Sequence, residues 1–257
     1  MTKFKKTLFT ALLEAGEILR QHFLKKIKVE YKGEIDPVTE VDRYSENRII
    51  KIMKTAHPTH GILTEETGEY TAQSEFCWII DPLDGTVNYA HGFNIFSVSI
   101  ALSKEGTIIL GGVYDPLREE MFWAEKGAGA FLNKKMICVS SEKKLCRSLL
   151  VTGFPYYVHK KSRTIVKYFS NFLTRAQAIR RLGSACLDLA YVAAGRIDGF
   201  WEQDLKPWDM AAGALIVEEA GGKVTDFRGK KLCLFSKTIL ATNTKLHNQM
   251  LKILKPK

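Results

Sequence analysis

The hydrophobic period of this chain changes twice, and that change limits the folds open to it more than any other feature. Phe4, Leu8, Leu12, Ala15, Leu19 and Phe23 recur at helical spacing between lysines and glutamates, which predicts an amphipathic first helix. A second helix is expected from Asp42 to Lys54, with Tyr44, Ile49, Ile50 and Met53 at its apolar positions and Pro58 beyond its end. From Gly61 the pattern shortens to strand-length runs at Gly61–Thr64, Phe76–Ile80, Phe96–Leu102, Ile108–Tyr114 and Met121–Ala124. Gly106, Gly111-Gly112 and Asp115-Pro116 punctuate them, as an antiparallel meander requires. After Ser140 the lysine-rich Glu142-Lys143-Lys144 marks a boundary, and helices then alternate with strands. A strand is expected at Leu149–Thr152, helices at Ser162–Leu173, Ala185–Ala194 and Met210–Ala220, and Gly221-Gly222 supplies the left-handed stop before Lys223-Val224-Thr225.

At 257 residues and 46% hydrophobic, the chain can bury a sizeable core, which excludes wholesale disorder. No apolar run approaches a membrane span; Glu14 and Glu17 interrupt the first helix, and no small-residue cleavage site follows it. A soluble, cytoplasmic protein without a membrane partner is expected. Five scattered cysteines without a C-x-x-C pair argue against a disulfide framework or a cysteine zinc site and are read as buried, reduced thiols. His57 and His60 flank Pro58 in a turn and are read as structural. The net charge of +10 is uneven: residues 30–90 hold twelve acids and five bases, a net of −7, leaving +17 on the remainder. An acidic segment inside a basic protein suits a cation-collecting site whose surroundings draw in anionic substrates; a lysine-rich solvated surface is the plainer reading.

Chemistry concentrates in Trp78-Ile79-Ile80-Asp81-Pro82-Leu83-Asp84-Gly85-Thr86-Val87-Asn88. A buried strand delivers Asp81 at its end, Pro82 is expected to force a turn there, and Asp84 converges on the same point if that turn is helical. Gly85 admits a ligand close to the backbone, and Thr86 opens the next segment with its amide and hydroxyl available. Hard cations take carboxylates and carbonyls, with phosphate oxygens completing the shell. Two further acidic elements are candidates to join: Thr64-Glu65-Glu66-Thr67 after a strand, otherwise a solvated loop, and Asp209 at a helix start, otherwise a plain cap.

Together these residues resemble the inositol monophosphatase family of magnesium-dependent, lithium-sensitive phosphatases. Trp78–Asn88 reads like the family's W-x-I-D-P-L-D-G-T-x-N signature, Trp208–Gly222 resembles its W-D-x-A-A-G…E-A-G-G signature, and Asp36–Asp42 looks like its D-x-V-T-x-x-D stretch. The resemblance implies an α+β, layered α-β sandwich with an N-terminal antiparallel sheet and helices (residues 1–140) and a C-terminal α/β half (141–257). It implies two to three Mg²⁺ held by Glu65, Asp81, Asp84, Asp209 and the Leu83 carbonyl, with Asp81 bridging two ions. Glu65, Thr86 and Asp42 would activate water, Asp42 accepting from the Thr86 hydroxyl, while Gly85 and Thr86 offer amides to phosphate. Asp84 and Asp209 would also face the substrate. Gly183, Ser184, Ala185 and Glu202 would meet its hydroxyls, and Lys32 lies near a loop over the site. The implied activity is hydrolysis of a polyol phosphate, most simply myo-inositol monophosphate, by a homodimer. The alternatives are a sister activity on fructose bisphosphate, nucleotide bisphosphates, NADP or histidinol phosphate, or a basic protein binding RNA or the transcription machinery. One departure is Thr64, where the family carries Gly before its paired glutamates; a β-branched residue adopts fewer backbone conformations, which bears on the Glu65 loop.

Overall fold

A computed structural model describes residues 2–31, 37–70, 74–155, 158 and 163–255. Lys32 and Asp36 lie outside the described residues, as does Ser162 at the expected start of the third helix. The first half runs α1 (Lys3–His22), β1 (Val29–Tyr31), β2 (Pro37–Thr39), α2 (Glu40–Ala56), β3 (Gly61–Thr64), β4 (Gly68–Tyr70), β5 (Phe76–Asp84), α3 (Thr86–Ala90), β6 (Ser97–Lys104), β7 (Thr107–Asp115), β8 (Glu120–Glu125), β9 (Ala130–Leu132) and β10 (Lys135–Ile137). The second half runs β11 (Leu149–Thr152), α4 (Arg163–Leu173), β12 (Ala178–Arg180), α5 (Ala185–Ala193), β13 (Gly199–Gln203), α6 (Pro207–Glu219), β14 (Lys223–Thr225), β15 (Thr238–Thr242) and α7 (His247–Leu254).

The architecture is α+β in layers. An eight-stranded sheet is ordered β10-β9-β8-β7-β6-β5-β3-β4, and a five-stranded sheet β12-β11-β13-β15-β14. On one face of the large sheet lie α1 and α2, whose apolar stripes (Leu8, Leu12, Leu19, Ile49, Met53) close a core with Trp78, Ile80, Val98 and Ile100. Its other face is covered by α5 and α6, which also pack on the small sheet through Leu187, Leu189, Ile216 and Val217, so these helices form the layer between the sheets. The last core, with Phe172, Trp201, Leu240 and Met250, joins α4 and α7 to the far face of the small sheet.

The strands depart from a plain meander at two places. Strand β3 runs parallel to β5, reached through α2 and a β3–β4 hairpin, and antiparallel pairing is continuous only from β5 to β10. Pro82 does not end β5. The ladder with β6 shifts register between Asp81 and Asp84, so the residue that cannot donate falls where no ladder bond is required. Among the cysteines only Cys186 is buried; all five are free, but Cys138, Cys146 and Cys233 are exposed, because the turns and surface segments carrying them do not reach a core.

Candidate active site

Four segments distant in sequence meet at the shifted end of β5. The shift turns Asp81 and Asp84 toward a common cleft of about 640 Å³ that Glu65, Leu83, Gly85, Thr86, Gly183, Ser184, Ala185, Glu202 and Asp209 also line. All the site residues expected from sequence therefore meet there except Asp42, which reaches it through Thr86.

Asp81 is 1% exposed, and its Oδ1 accepts from the Leu83 amide at 3.1 Å. Burial, then the charges of Glu65, Asp84 and Asp209, push its carboxyl far above the ordinary aspartate range. Asp84 Oδ2 accepts from the Cys186 amide at 2.9 Å, the Ser97 hydroxyl at 3.4 Å and the Ser184 hydroxyl. Burial raises its pKa, and the bonds from Ser184 and Cys186 oppose that shift. Asp209 follows Pro207 in the first turn of α6, where its Oδ2 accepts from the Lys206 amide at 2.7 Å. It is a cap, as its position suggests, and its carboxyl is also raised by burial and by Glu65. No lysine or arginine forms an ion pair with Asp81, Asp84 or Asp209 among the described residues.

Glu65 follows β3 directly. Thr64, the departure noted in the sequence, is fully buried in that strand, where a β-branched residue is at ease, and its hydroxyl donates to Glu46 Oε2 at 2.5 Å. The same oxygen accepts from the Glu66 amide at 3.0 Å, so Glu46 of α2 fixes both flanks of Glu65.

Thr86 opens α3 after Gly85, whose φ of 93° is the left-handed region that glycine enters without strain. Its hydroxyl has two acceptors in reach, Asp42 Oδ1 at 3.1 Å and the Leu83 carbonyl at 3.0 Å. Asp42 is held by the cap of α2, its Oδ2 accepting from the Thr39 amide at 2.8 Å and the Thr39 hydroxyl at 2.6 Å. Burial lifts its pKa to about 6 against those bonds. Asn88 donates to Ile95 O and Leu182 O, both at 2.7 Å, tying α3 to the turn that carries Gly183.

Glu202 is 8% exposed on β13, not on a solvated strand face, and a methyl group on Gly153 would collide with both its carboxylate oxygens. Burial carries its pKa to about 8, with Arg181 pulling it down and Asp84 pushing it up. Ser184 caps α5 and commits its hydroxyl to Asp84 and the Leu187 amide, so it braces the acidic cluster.

The Asp81, Asp84 and Asp209 carboxyls, converging without an ion-pair partner among the described residues, fit a hard divalent cation. The thiol of Cys186 comes within 4.8 Å of the Asp81 and Asp84 oxygens, but burial keeps it protonated and it donates to the Asp209 carbonyl at 3.4 Å. Sequence reasoning missed Asn88 and the Cys186 amide as organisers and Asp188 as a cleft residue. Asn88 closes the Trp78–Asn88 signature, which carried it without its organising role, and Asp188 stood only as a lone acid in the apolar run Ala185–Ala193.

A model described as the inositol monophosphatase family matches residues 1–256. An inositol-1-monophosphatase of Mesorhizobium japonicum is 40% identical over 248 residues, which is 95% of this chain and 93% of that protein. The Nus factor SuhB of Pseudomonas aeruginosa is 44% identical over 253 residues, covering 96% of this chain and 93% of the relative. The crystal structure of the extragenic suppressor protein suhB from Bartonella henselae superposes with a TM-score of 0.95 at 40% identity, covering 99% of both chains.

Proposed function

Since the chain belongs to the inositol monophosphatase family, we propose that it is a Mg²⁺-dependent phosphomonoesterase that converts myo-inositol monophosphate to inositol and phosphate. The observation that carries this reading is the convergence of Asp81, Asp84 and Asp209 on one cleft without a cationic partner among the described residues. Bound Mg²⁺, two to three ions in this reading, supplies charge neutralisation at the phosphoryl oxygens and acidifies water.

The chain's own residues do the rest. Asp81, Asp84, Asp209, Glu65 and the Leu83 carbonyl hold the cations. Thr86 donates to Asp42, which leaves its oxygen lone pairs to orient the attacking water, with Glu65 as that water's second contact. Gly85 and Thr86 present amides to the phosphate, and Gly183, Ala185 and Glu202 face the hydroxyls of the leaving group. A phosphate monoester is so inert that this charge stabilisation must supply most of the barrier lowering.

Phosphate release from inositol, sugar and nucleotide phosphates, with and without Mg²⁺, tests the reading. Preference for a bisphosphate, NADP or histidinol phosphate would move the chain to a sister activity, and no Mg²⁺-dependent release would end the proposal. Family membership is also the ground for proposing a cytoplasmic homodimer inhibited by Li⁺ and divided near residue 140. A second, non-enzymatic role in binding RNA or the transcription machinery is supported by the Nus factor name of relatives and by the net charge of +10. A steep salt dependence of RNA binding would support that role, and a flat one would remove it.

A further inference from the structure

Asp188 lies on α5, 1% exposed, among alanines and leucines, and it lines the same cleft as Glu202. Among the described residues its buried Oδ1 has no hydrogen-bond partner. A buried acid without a partner costs stability, and few folded chains retain one without another use for it. Asp188 does not cap α5, because Ser184 performs that task. It forms no ion pair among the described residues, and Arg181 only opposes the effect of burial at a distance. Burial and the neighbouring Glu202 both favour the protonated form of its carboxyl.

Two carboxyl groups that line one cavity and are held toward the protonated form by burial present hydroxyl donors and carbonyl acceptors to it. A pair of adjacent hydroxyls offers the same two functions in return. We propose that Asp188 is a specificity-determining residue which, together with Glu202, hydrogen-bonds the hydroxyls of a polyol leaving group. This inference rests on the phosphomonoesterase reading given above. The orphaned Oδ1 is the free-state consequence: the bond that satisfies it arrives with the substrate, so an analogue lacking hydroxyls leaves it unpaired.

The test uses the full chain with Mg²⁺ and compares kcat/KM for myo-inositol monophosphate and p-nitrophenyl phosphate, which has no hydroxyls to read. Asp188→Ala should lower the inositol phosphate value by roughly ten- to a hundredfold, the range of one or two polar contacts, and leave the aryl value within about twofold. Asp188→Asn keeps a donor and an acceptor and should restore most of the difference. Neither variant should melt below the wild type, because the group removed is unsatisfied in the fold. Equal losses on both substrates, a lowered melting temperature with Asn no better than Ala, or an unchanged inositol phosphate value would each overturn the assignment. A wild type active only on the aryl ester would overturn it too while leaving the phosphatase reading intact, and a wild type inactive on both would remove that reading and this one together.

Discussion

Asp81 stands at the point where three other acids press on it from within a buried site. On the proposed reading Asp81→Asn removes one of the charges that would hold the cations, so phosphate release should fall below about a tenth of wild type, a loss exceeding ~1.4 kcal/mol of barrier lowering. The variant should fold normally, since losing a buried, repelled charge does not weaken the core. More than a tenth of the activity retained would refute the bridging role. For Thr86→Ala the expected pattern differs: kcat falls by roughly a hundredfold while KM hardly moves, the mark of a group acting mainly in the transition state. A raised KM with normal kcat would reassign Thr86 to ground-state binding. These residues were legible in the sequence because Pro, Gly and two acids crowd one strand end. Asp188 was not, because a single acid inside an apolar helix reads as an ordinary buried position until its missing partner is seen.

Helix ends carry the pH sensitivity of the fold. His57 caps α2 from a 6% exposed position, bonded to the Thr7 hydroxyl at 3.1 Å and stacked on His60 with ring centroids 4.7 Å apart. His247 opens α7 with both ring nitrogens bonded, to Thr225 at 3.0 Å and Thr242 at 2.9 Å. Burial lowers the pKa of each to about 4, helped by His60 and Lys3 for His57 and by Lys223 for His247. Both rings are therefore neutral when folded but charge on unfolding below about pH 6.5. Their contribution is complete above that pH and is lost as pH falls toward 4, each proton taken up costing at most about 1.4 kcal/mol per pH unit. Denaturant midpoints should drop between pH 7 and pH 5, and His57→Gln should flatten the drop; an unchanged midpoint would contradict the assignment. At this scale the long helices were legible from their period, whereas β12, β14 and β15 have three to five residues and their pairing is set by layers the sequence does not display. The parallel entry of β3 escaped for a related reason, since periodicity reports a strand but not its direction.

At the scale of the whole molecule, burial and the charges of Glu65 and Asp84 raise the carboxyl pKa values of both Asp81 and Asp209, so on the proposed reading the acidic cluster would take up cations as one unit. Excess EDTA should abolish phosphate release, and millimolar Mg²⁺, an order-of-magnitude expectation for a cation that keeps its waters, should restore it. The same addition should raise the melting temperature by mass action on the folded state. Activity undiminished in EDTA would sink the metal mechanism. The layering α1/α2, large sheet, α5/α6, small sheet, α4/α7 was foreseeable only from resemblance, because no local pattern records which sheet face a helix will cover.

The bond from Ser184 and the Cys186 amide to Asp84 joins residues separated by 100 and 102 positions in the chain. That separation sets an order of events in folding. The meander from β5 to β10 closes through neighbours and forms with little loss of chain entropy, whereas the Asp84 clasp must wait for a long loop to close. Geometry competent for phosphate chemistry should thus form late in folding, and turnover recovered after dilution from denaturant should report the docking of α5 on β5, not the appearance of either sheet.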